Sequence, residues 1–213
     1  MLVSDKYKLL FVHVPKTGGS FIRKMIQSVD HDCYEYKEHH SVLDQDGANR
    51  FSDYYKFAVV RNSYRLCASF YRFMTEKIQN ISERQEPVGI IGLIEGQLTE
   101  TKDSTPWQLS QISNSFPVQM DWFSKDGKIF VDDVFIYDEG LAIQLEDLKK
   151  LINFKGSLTN GGHEVGARFN YFGDYDFNYF GDYDWKKYYD PESIEYVTRI
   201  CQKDIKHFNF KFS

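Results

Sequence analysis

Residues 8–22, Lys8-Leu9-Leu10-Phe11-Val12-His13-Val14-Pro15-Lys16-Thr17-Gly18-Gly19-Ser20-Phe21-Ile22, pass from one kind of secondary structure to another within a short span. Lys8 to Val14 is a nearly continuous apolar run, the pattern of a parallel strand buried on both faces. It breaks at Pro15 and at the Gly18-Gly19 pair. Apolar residues then recur at Phe21, Ile22, Met25, Ile26 and Val29, which is the spacing of a helix with one buried face. Strand, glycine loop and helix make the first unit of the chain.

Two further units repeat the order. Tyr54-Tyr55-Lys56-Phe57-Ala58-Val59-Val60 reads as a second buried strand ending at Arg61-Asn62-Ser63, and Leu66, Phe70, Phe73, Met74 and Ile78 mark the helix after it. Lys128–Val131 and Val134–Tyr137 precede a helix around Leu141 to Ile152. The last helix carries its own start signal, with Asp190 as N-cap, Pro191 at the first helical position, and Ile194, Val197 and Ile200 on one face. Strands alternating with helices predict an α/β fold, a central and mainly parallel sheet flanked by helices. Ligands of such sheets sit at the carboxyl ends of the strands, where the loops at Pro15 and Arg61 both fall.

The length of 213 residues suits a single domain over residues 1–213. The composition is that of a globular protein, 42% hydrophobic and 27% charged, with 18 Phe and 15 Tyr to fill a core or line a pocket. A net charge of −5 points away from a nucleic-acid binder. Cys33, Cys67 and Cys201 are widely spaced and odd in number, which is no disulfide framework and favours a reducing compartment. No stretch reaches the roughly 20 apolar residues of a membrane span, and Met1 to Leu10 lacks the apolar core of a signal peptide, so a cytoplasmic protein is expected. The segment Ser82 to Asp103 is polar and irregular apart from Val88–Ile94, and reads as a surface excursion or lid. Phe169–Asp176 recurs residue for residue as Phe177–Asp184; two copies are too few for a solenoid, leaving a local duplication or a sugar-stacking surface.

The glycine loop has a chemical purpose. A helix N-terminus presents free N–H groups and partial positive charge, and so attracts an anion. Glycines let backbone approach the anion closely. Lys16 adds a full charge, and Thr17 and Ser20 add hydroxyls. An NTPase P-loop needs G-x-x-x-x-G-K-[ST], with lysine after the glycines; here lysine precedes them. Such an NTPase also needs a Mg²⁺-holding acid at a strand end, for which Asp138-Glu139 after Val134–Tyr137 is the candidate.

Phe11 through Ser20 resembles the 5′-phosphosulfate loop of carbohydrate sulfotransferases that use 3′-phosphoadenosine-5′-phosphosulfate (PAPS), closest to heparan-sulfate 2-O-sulfotransferases and their bacterial relatives. Phe57–Tyr64, continued to Ser69-Phe70-Tyr71, resembles that family's 3′-phosphate strand–loop–helix, with its Arg and Ser at Arg61 and Ser69. Tyr189–Glu192 through Asp204–Phe210 is similar to its closing helix. The resemblance implies a P-loop-like sulfotransferase fold. It also implies that Pro15, Lys16, Thr17, Gly18, Gly19, Ser20, Arg61 and Ser69 bind PAPS, and that a glycan or other hydroxyl-bearing molecule is the acceptor. The chain departs from the family at Ser63, where proline is usual, and at Arg65-Leu66, where an acid and an arginine are usual. One residue is about 100° of helix, so Arg65 is expected to point away from the position of the family's arginine.

Sulfuryl transfer, like phosphoryl transfer, is an in-line displacement that depends on positioning and charge stabilisation. Lys16 is the candidate to stabilise charge on the leaving oxygen, and Arg61 to hold a 3′-phosphate bidentately with Ser69 as a further donor. For the base, Lys37-Glu38-His39-His40-Ser41-Val42 offers two histidines. The resemblance places the catalytic histidine at His40, with His39 beside it and Glu38 as a third candidate. His13, inside the first strand, reads as a core residue, as do at least two of Trp107, Trp122 and Trp185. His31, Cys33, His39 and His40 match no zinc spacing, and no metal is expected. Two other classes remain beside the sulfotransferase: a small-molecule kinase or other NTPase, and a nucleotide-binding module without catalysis.

Overall fold

The computed structural model describes residues 1–37, 42–77 (backbone alone over 73–77), 89–95, 117–155 and 184–213. The central sheet has five strands: β1 (Leu2–Ser4), β2 (Leu9–Val12), β3 (Tyr34–Glu35), β4 (Tyr55–Val60) and β7 (Asp133–Ile136), in the order β3-β1-β2-β4-β7. β2, β4 and β7 are parallel neighbours, whereas β1 runs antiparallel to both β2 and β3. The sheet is therefore mixed rather than wholly parallel, with β1 running against the other four strands. β1 is the source of the difference: a three-residue strand, joined to β2 by the tight turn at Asp5–Lys8, carries too little periodicity to be read from sequence.

Both faces of the sheet are covered, which explains its apolar strands. Alternation sends Leu9, Phe11, Phe57 and Val59 to one face and Leu10, Val12, Ala58 and Val60 to the other. The first face packs on helix α1 (Gly19–Val29) through Ile22, Met25 and Ile26, and on α5 (Leu141–Gln144) and α6 (Glu146–Leu151) through Leu145 and Leu148. The second face packs under Leu43, Phe51, Trp122, Phe123 and Phe210. A third apolar cluster joins α3 (Ser63–Lys77), α4 (Ile90–Ile94) and α7 (Pro191–Ile200), with Tyr64, Cys67, Trp185, Val197 and Cys201 at its centre. Trp122 and Trp185 are thus core residues, as expected. A short helix α2 (Gln45–Arg50) follows its N-cap Asp44, and α8 (Gln202–Phe208) follows α7.

Several expectations are met in detail. Asp190 caps α7 in a reciprocal capping box with Ser193, and Pro191 opens the helix. The helix expected around Leu141 to Ile152 is present but divided at Leu145 into α5 and α6. Lys128–Val131 is a correction: Lys128–Ile129 (β6) pairs with Ser124–Lys125 (β5) in a separate hairpin and not in the main sheet. Among the described residues no helix is long and apolar enough to cross a membrane.

Candidate anion-binding site

Three parallel strands, β2, β4 and β7, end side by side, and each end carries residues of one site. Beyond β2 the chain turns through Pro15 and Lys16 into α1. Thr17 is fully buried, and its hydroxyl donates to the Val14 carbonyl at 2.8 Å, pinning the turn from inside. That hydroxyl proton is spent within the loop, so an anion can take only the backbone N–H of Thr17. Ser20 is exposed at the first turn of α1. Gly18 is the N-cap of α1, with φ +80° and ψ 10°. The N–H groups of Gly19 and Ser20 have no acceptor within the helix, as in any first turn.

Both glycines are required by packing. A Cβ on Gly18 would stand 2.6 Å from the Tyr137 ring, and one on Gly19 would overlap the His13 imidazole. His13 is buried and stacked on Phe11, which agrees with its reading as a core residue. Its second task is to form the floor under Gly19. Lys16 also adopts a left-handed backbone, φ +65°, without being glycine. That conformation costs an L-residue about 1–2 kcal/mol, a local strain at the residue carrying the loop's full charge.

Arg61 follows the last residue of β4. Its guanidinium lies over the Tyr137 ring, 4.9 Å from the centroid, and its Nε is 3.4 Å from Asp138 Oδ1. Tyr137 N–H donates to Val60 O at 2.8 Å, so the β4–β7 ladder runs one residue past the strand and sets this ring beside Arg61. One tyrosine therefore touches both Gly18 of the glycine loop and Arg61. The structure brings the two sequence motifs together there.

Asp138 organises the β4 end. Its Oδ2 accepts the Asn62 N–H at 2.8 Å, and its Oδ1 is 3.5 Å from Arg65 Nη1. Arg65 turns to the same carboxylate as Arg61. Two guanidinium groups against one carboxylate leave one positive charge in excess. Helix α3 begins at Ser63, and the Asn62 side chain caps it by accepting the Tyr64 N–H at 3.1 Å. Ser63 stands at the first helical position, where a backbone N–H lacks an intrahelical acceptor. Its hydroxyl is fully buried and has no hydrogen-bond partner among the described residues. Ser69 lies farther along α3 and is also buried.

Glu38, His39 and His40 lie outside the described residues, as do Trp107, nearly all of the duplicated Phe169–Asp184 stretch and most of Ser82–Asp103. Strand β3 is antiparallel to β1 and hence parallel to β2. The chain thus leaves β3 toward Lys37 at the same end of the sheet as Pro15, two strands from β2, or about 10 Å.

Sequence reasoning missed Tyr137, which no motif marks. It weighed Asp138 only as a metal-holding acid. It also missed Gln119, whose carboxamide accepts the Arg61 N–H and donates to the Arg61 carbonyl, both at 2.7 Å. What these groups make together is a cationic end of a sheet with a glycine-capped helix N-terminus, an arginine pair and an unsatisfied buried hydroxyl, all suited to a multiply charged anion. No family model, curated protein or solved structure matches the chain.

Proposed function

We propose that the protein is a PAPS-dependent sulfotransferase acting on a hydroxyl group, with a carbohydrate as the acceptor class. The observation that carries the reading is the double contact of Tyr137, with Gly18 on one side and Arg61 on the other. It joins two anion-binding elements at adjacent strand ends, as a ligand with phosphate at both its 3′ and 5′ ends requires.

The residues fit such a ligand by their chemistry. Pro15–Ser20 supplies the helix N-terminus and Lys16 for the 5′ end. Arg61 supplies a planar fork for the 3′-phosphate, backed by Arg65. The buried Ser63 hydroxyl, left without a partner at a cost of about 1–3 kcal/mol, gains an acceptor when a phosphate oxygen arrives. Bound PAPS supplies the sulfuryl group. Lys16 stabilises the negative charge that develops on the departing nucleotide, and the segment after Lys37, with His40, His39 or Glu38, takes the acceptor's proton.

The arrangement around Asp138 argues against the NTPase alternative. An acid that holds Mg²⁺ needs its oxygens free. Asp138 instead accepts a backbone N–H on one oxygen and faces two guanidinium groups with the other, and these repel a divalent cation.

Thermal unfolding with added nucleotide tests the reading, because a ligand that binds only the folded state raises its midpoint. 3′-Phosphoadenosine-5′-phosphate at about 100 times its Kd is expected to stabilise the protein by about 2.7 kcal/mol without Mg²⁺. Stabilisation by ATP–Mg²⁺ and none by the bisphosphate nucleotide sinks the proposal. Transfer of labelled sulfate from PAPS across a panel of hydroxylated acceptors then identifies the substrate.

A further inference from the structure

We propose that Gln119 and Asp204 are positioning residues for Arg61: the Gln119 side chain takes the place of a missing strand beside the Arg61 peptide, and Asp204 holds Gln119 there. The inference rests on the anion-site reading above and deepens it.

The case starts from the ladder. In a strand, the N–H and C=O of successive residues point to opposite sides. Val60 C=O is bonded toward β7, by Tyr137 N–H. The Arg61 N–H and C=O therefore point toward β2. At this level β2 has ended: Val12, its last residue, pairs with Ala58, and the chain beyond has turned into the phosphate loop. The departure that builds the loop thus strips Arg61 of its ladder partner. A buried peptide left so costs about the full desolvation of both groups.

Gln119 fills the gap. Its carboxamide has one acceptor and one donor in the geometry of a peptide, and both bond Arg61 at 2.7 Å. The same device recurs at the end of β7, where the Gln144 carboxamide bonds Ile136 N–H at 2.9 Å and Ile136 C=O at 2.8 Å. Gln119 differs in being 1% exposed and in how it is held. It opens a 3₁₀ turn, Gln119–Trp122, whose first N–H groups need acceptors. Asp204, from α8, supplies both: Oδ2 to Gln119 N–H at 2.7 Å and Oδ1 to Met120 N–H at 2.9 Å. A carboxylate with no solvent exposure is thereby tied, through one glutamine, to the backbone of the site's arginine.

The tie has a proton-dependent link. Burial raises the Asp204 carboxyl to about 6, against the lowering effect of the hydrogen bonds from Gln119 and Met120. Among the described residues the titratable groups that face it are Asp121, which adds to the rise and is itself paired with Lys203 at 2.6 Å, and the Cys67 thiol, which in turn meets Cys201. A proton on one oxygen turns an acceptor into a hydroxyl, so one of the two backbone bonds is lost and Gln119 is held by the other alone.

The test uses the full chain and two readouts. The first needs no ligand: the ¹⁵N–¹H resonance of Arg61 Nε, followed by NMR from pH 7.5 to 5. It is expected to titrate with a midpoint near 6 in the wild type, to be flat in Asp204→Asn, and to be shifted at all pH values in Gln119→Ala. The second is calorimetric affinity for 3′-phosphoadenosine-5′-phosphate. Gln119→Ala is expected to weaken binding about tenfold at temperatures where circular dichroism shows it fully folded. Asp204→Asn is expected to remove the part of the pH profile that the ligand's own phosphate, with its second pKa near 6, does not supply. An Arg61 resonance that Gln119→Ala leaves unmoved in a folded protein overturns the inference, and Gln119→Asn, which keeps the amide but shortens its reach, decides it if Gln119→Ala fails to fold; a flat wild-type titration removes the proton-dependent link alone. An Arg61 resonance that responds as stated in a protein that binds no bisphosphate nucleotide leaves the inference standing and removes the sulfotransferase reading.

Discussion

The guanidinium of Arg61 lies 4.9 Å from the centre of the Tyr137 ring, whose edge closes on Gly18 of the glycine loop. Cation–π contacts of this kind contribute about 0.5–2 kcal/mol, more as water is excluded. Arg61 is largely shielded, and Asp138 alone does not fix the plane of its guanidinium. Tyr137→Phe keeps the ring and is expected to leave bisphosphate-nucleotide affinity within about twofold. Tyr137→Leu keeps bulk but loses the quadrupole, and roughly a 3- to 10-fold weakening is expected by calorimetry. Equal affinity in both variants would show that Tyr137 acts only as a spacer.

Lys16 separates chemistry from folding. Its φ of +65° suits glycine, so Lys16→Gly relieves backbone strain of about 1 kcal/mol while removing the loop's charge. The variant is expected to unfold in urea at a midpoint no lower than the wild type. If the protein is the sulfotransferase proposed above, the variant's sulfate-transfer rate is expected to fall about 100-fold or more, the usual loss when a charge-stabilising group is removed. A rate within tenfold of the wild type would take Lys16 out of the reaction.

Much of this site was legible because it follows from local rules. The apolar run into Pro15, the glycine pair and the helical spacing after Phe21 fix a strand, a loop and a helix from their own residues. The cap at Asp190 is equally local. What escaped depends on neighbours in space. Gln119 matters because β2 turns away at Val12 and exposes the Arg61 peptide, a consequence of the loop that no residue near Gln119 announces. The orientation of Arg65 is set in the same way, by a carboxylate beyond a different strand, Asp138, which draws in its long side chain. The β5–β6 hairpin is a different kind of miss. Asp126-Gly127, both at positive φ, is the two-residue turn that marks hairpins, and the signal was in the sequence, overshadowed by the apolar residues after it.

Ser63 offers the converse of a stabilising contact. Its buried hydroxyl lacks a partner among the described residues, so deleting it removes an unsatisfied group and leaves only a small void. Ser63→Ala is expected to raise the stability of the ligand-free protein by up to about 1 kcal/mol in urea unfolding. The same variant is expected to weaken bisphosphate-nucleotide binding several-fold. Destabilisation without any loss of affinity would place the hydroxyl in the fold and outside the site.

Asp204 sets stability and site geometry against each other as pH changes. Its carboxyl stands near 6 in the folded chain against an ordinary value of 3.8, so the folded state holds the proton more tightly. The resulting stability is fully present below about pH 4 and is lost as pH rises through 6. The gap corresponds to roughly 3 kcal/mol as an upper figure. The Met1 amine, lowered by burial to about 6, acts in the opposite direction over an overlapping range, contributing stability that disappears as pH falls from 8 through 6. The difference between wild type and Asp204→Asn cancels that contribution. In urea unfolding at pH 4.5 and 7.5, the wild type is expected to lose more stability than Asp204→Asn on going to the higher pH. The charged carboxylate persists despite that cost because it grips both N–H groups of the Gln119 turn, and through Gln119 the peptide of Arg61. Identical pH profiles in the two proteins would mean that Asp204 stays ionised throughout, and its hold on the turn would then be independent of pH.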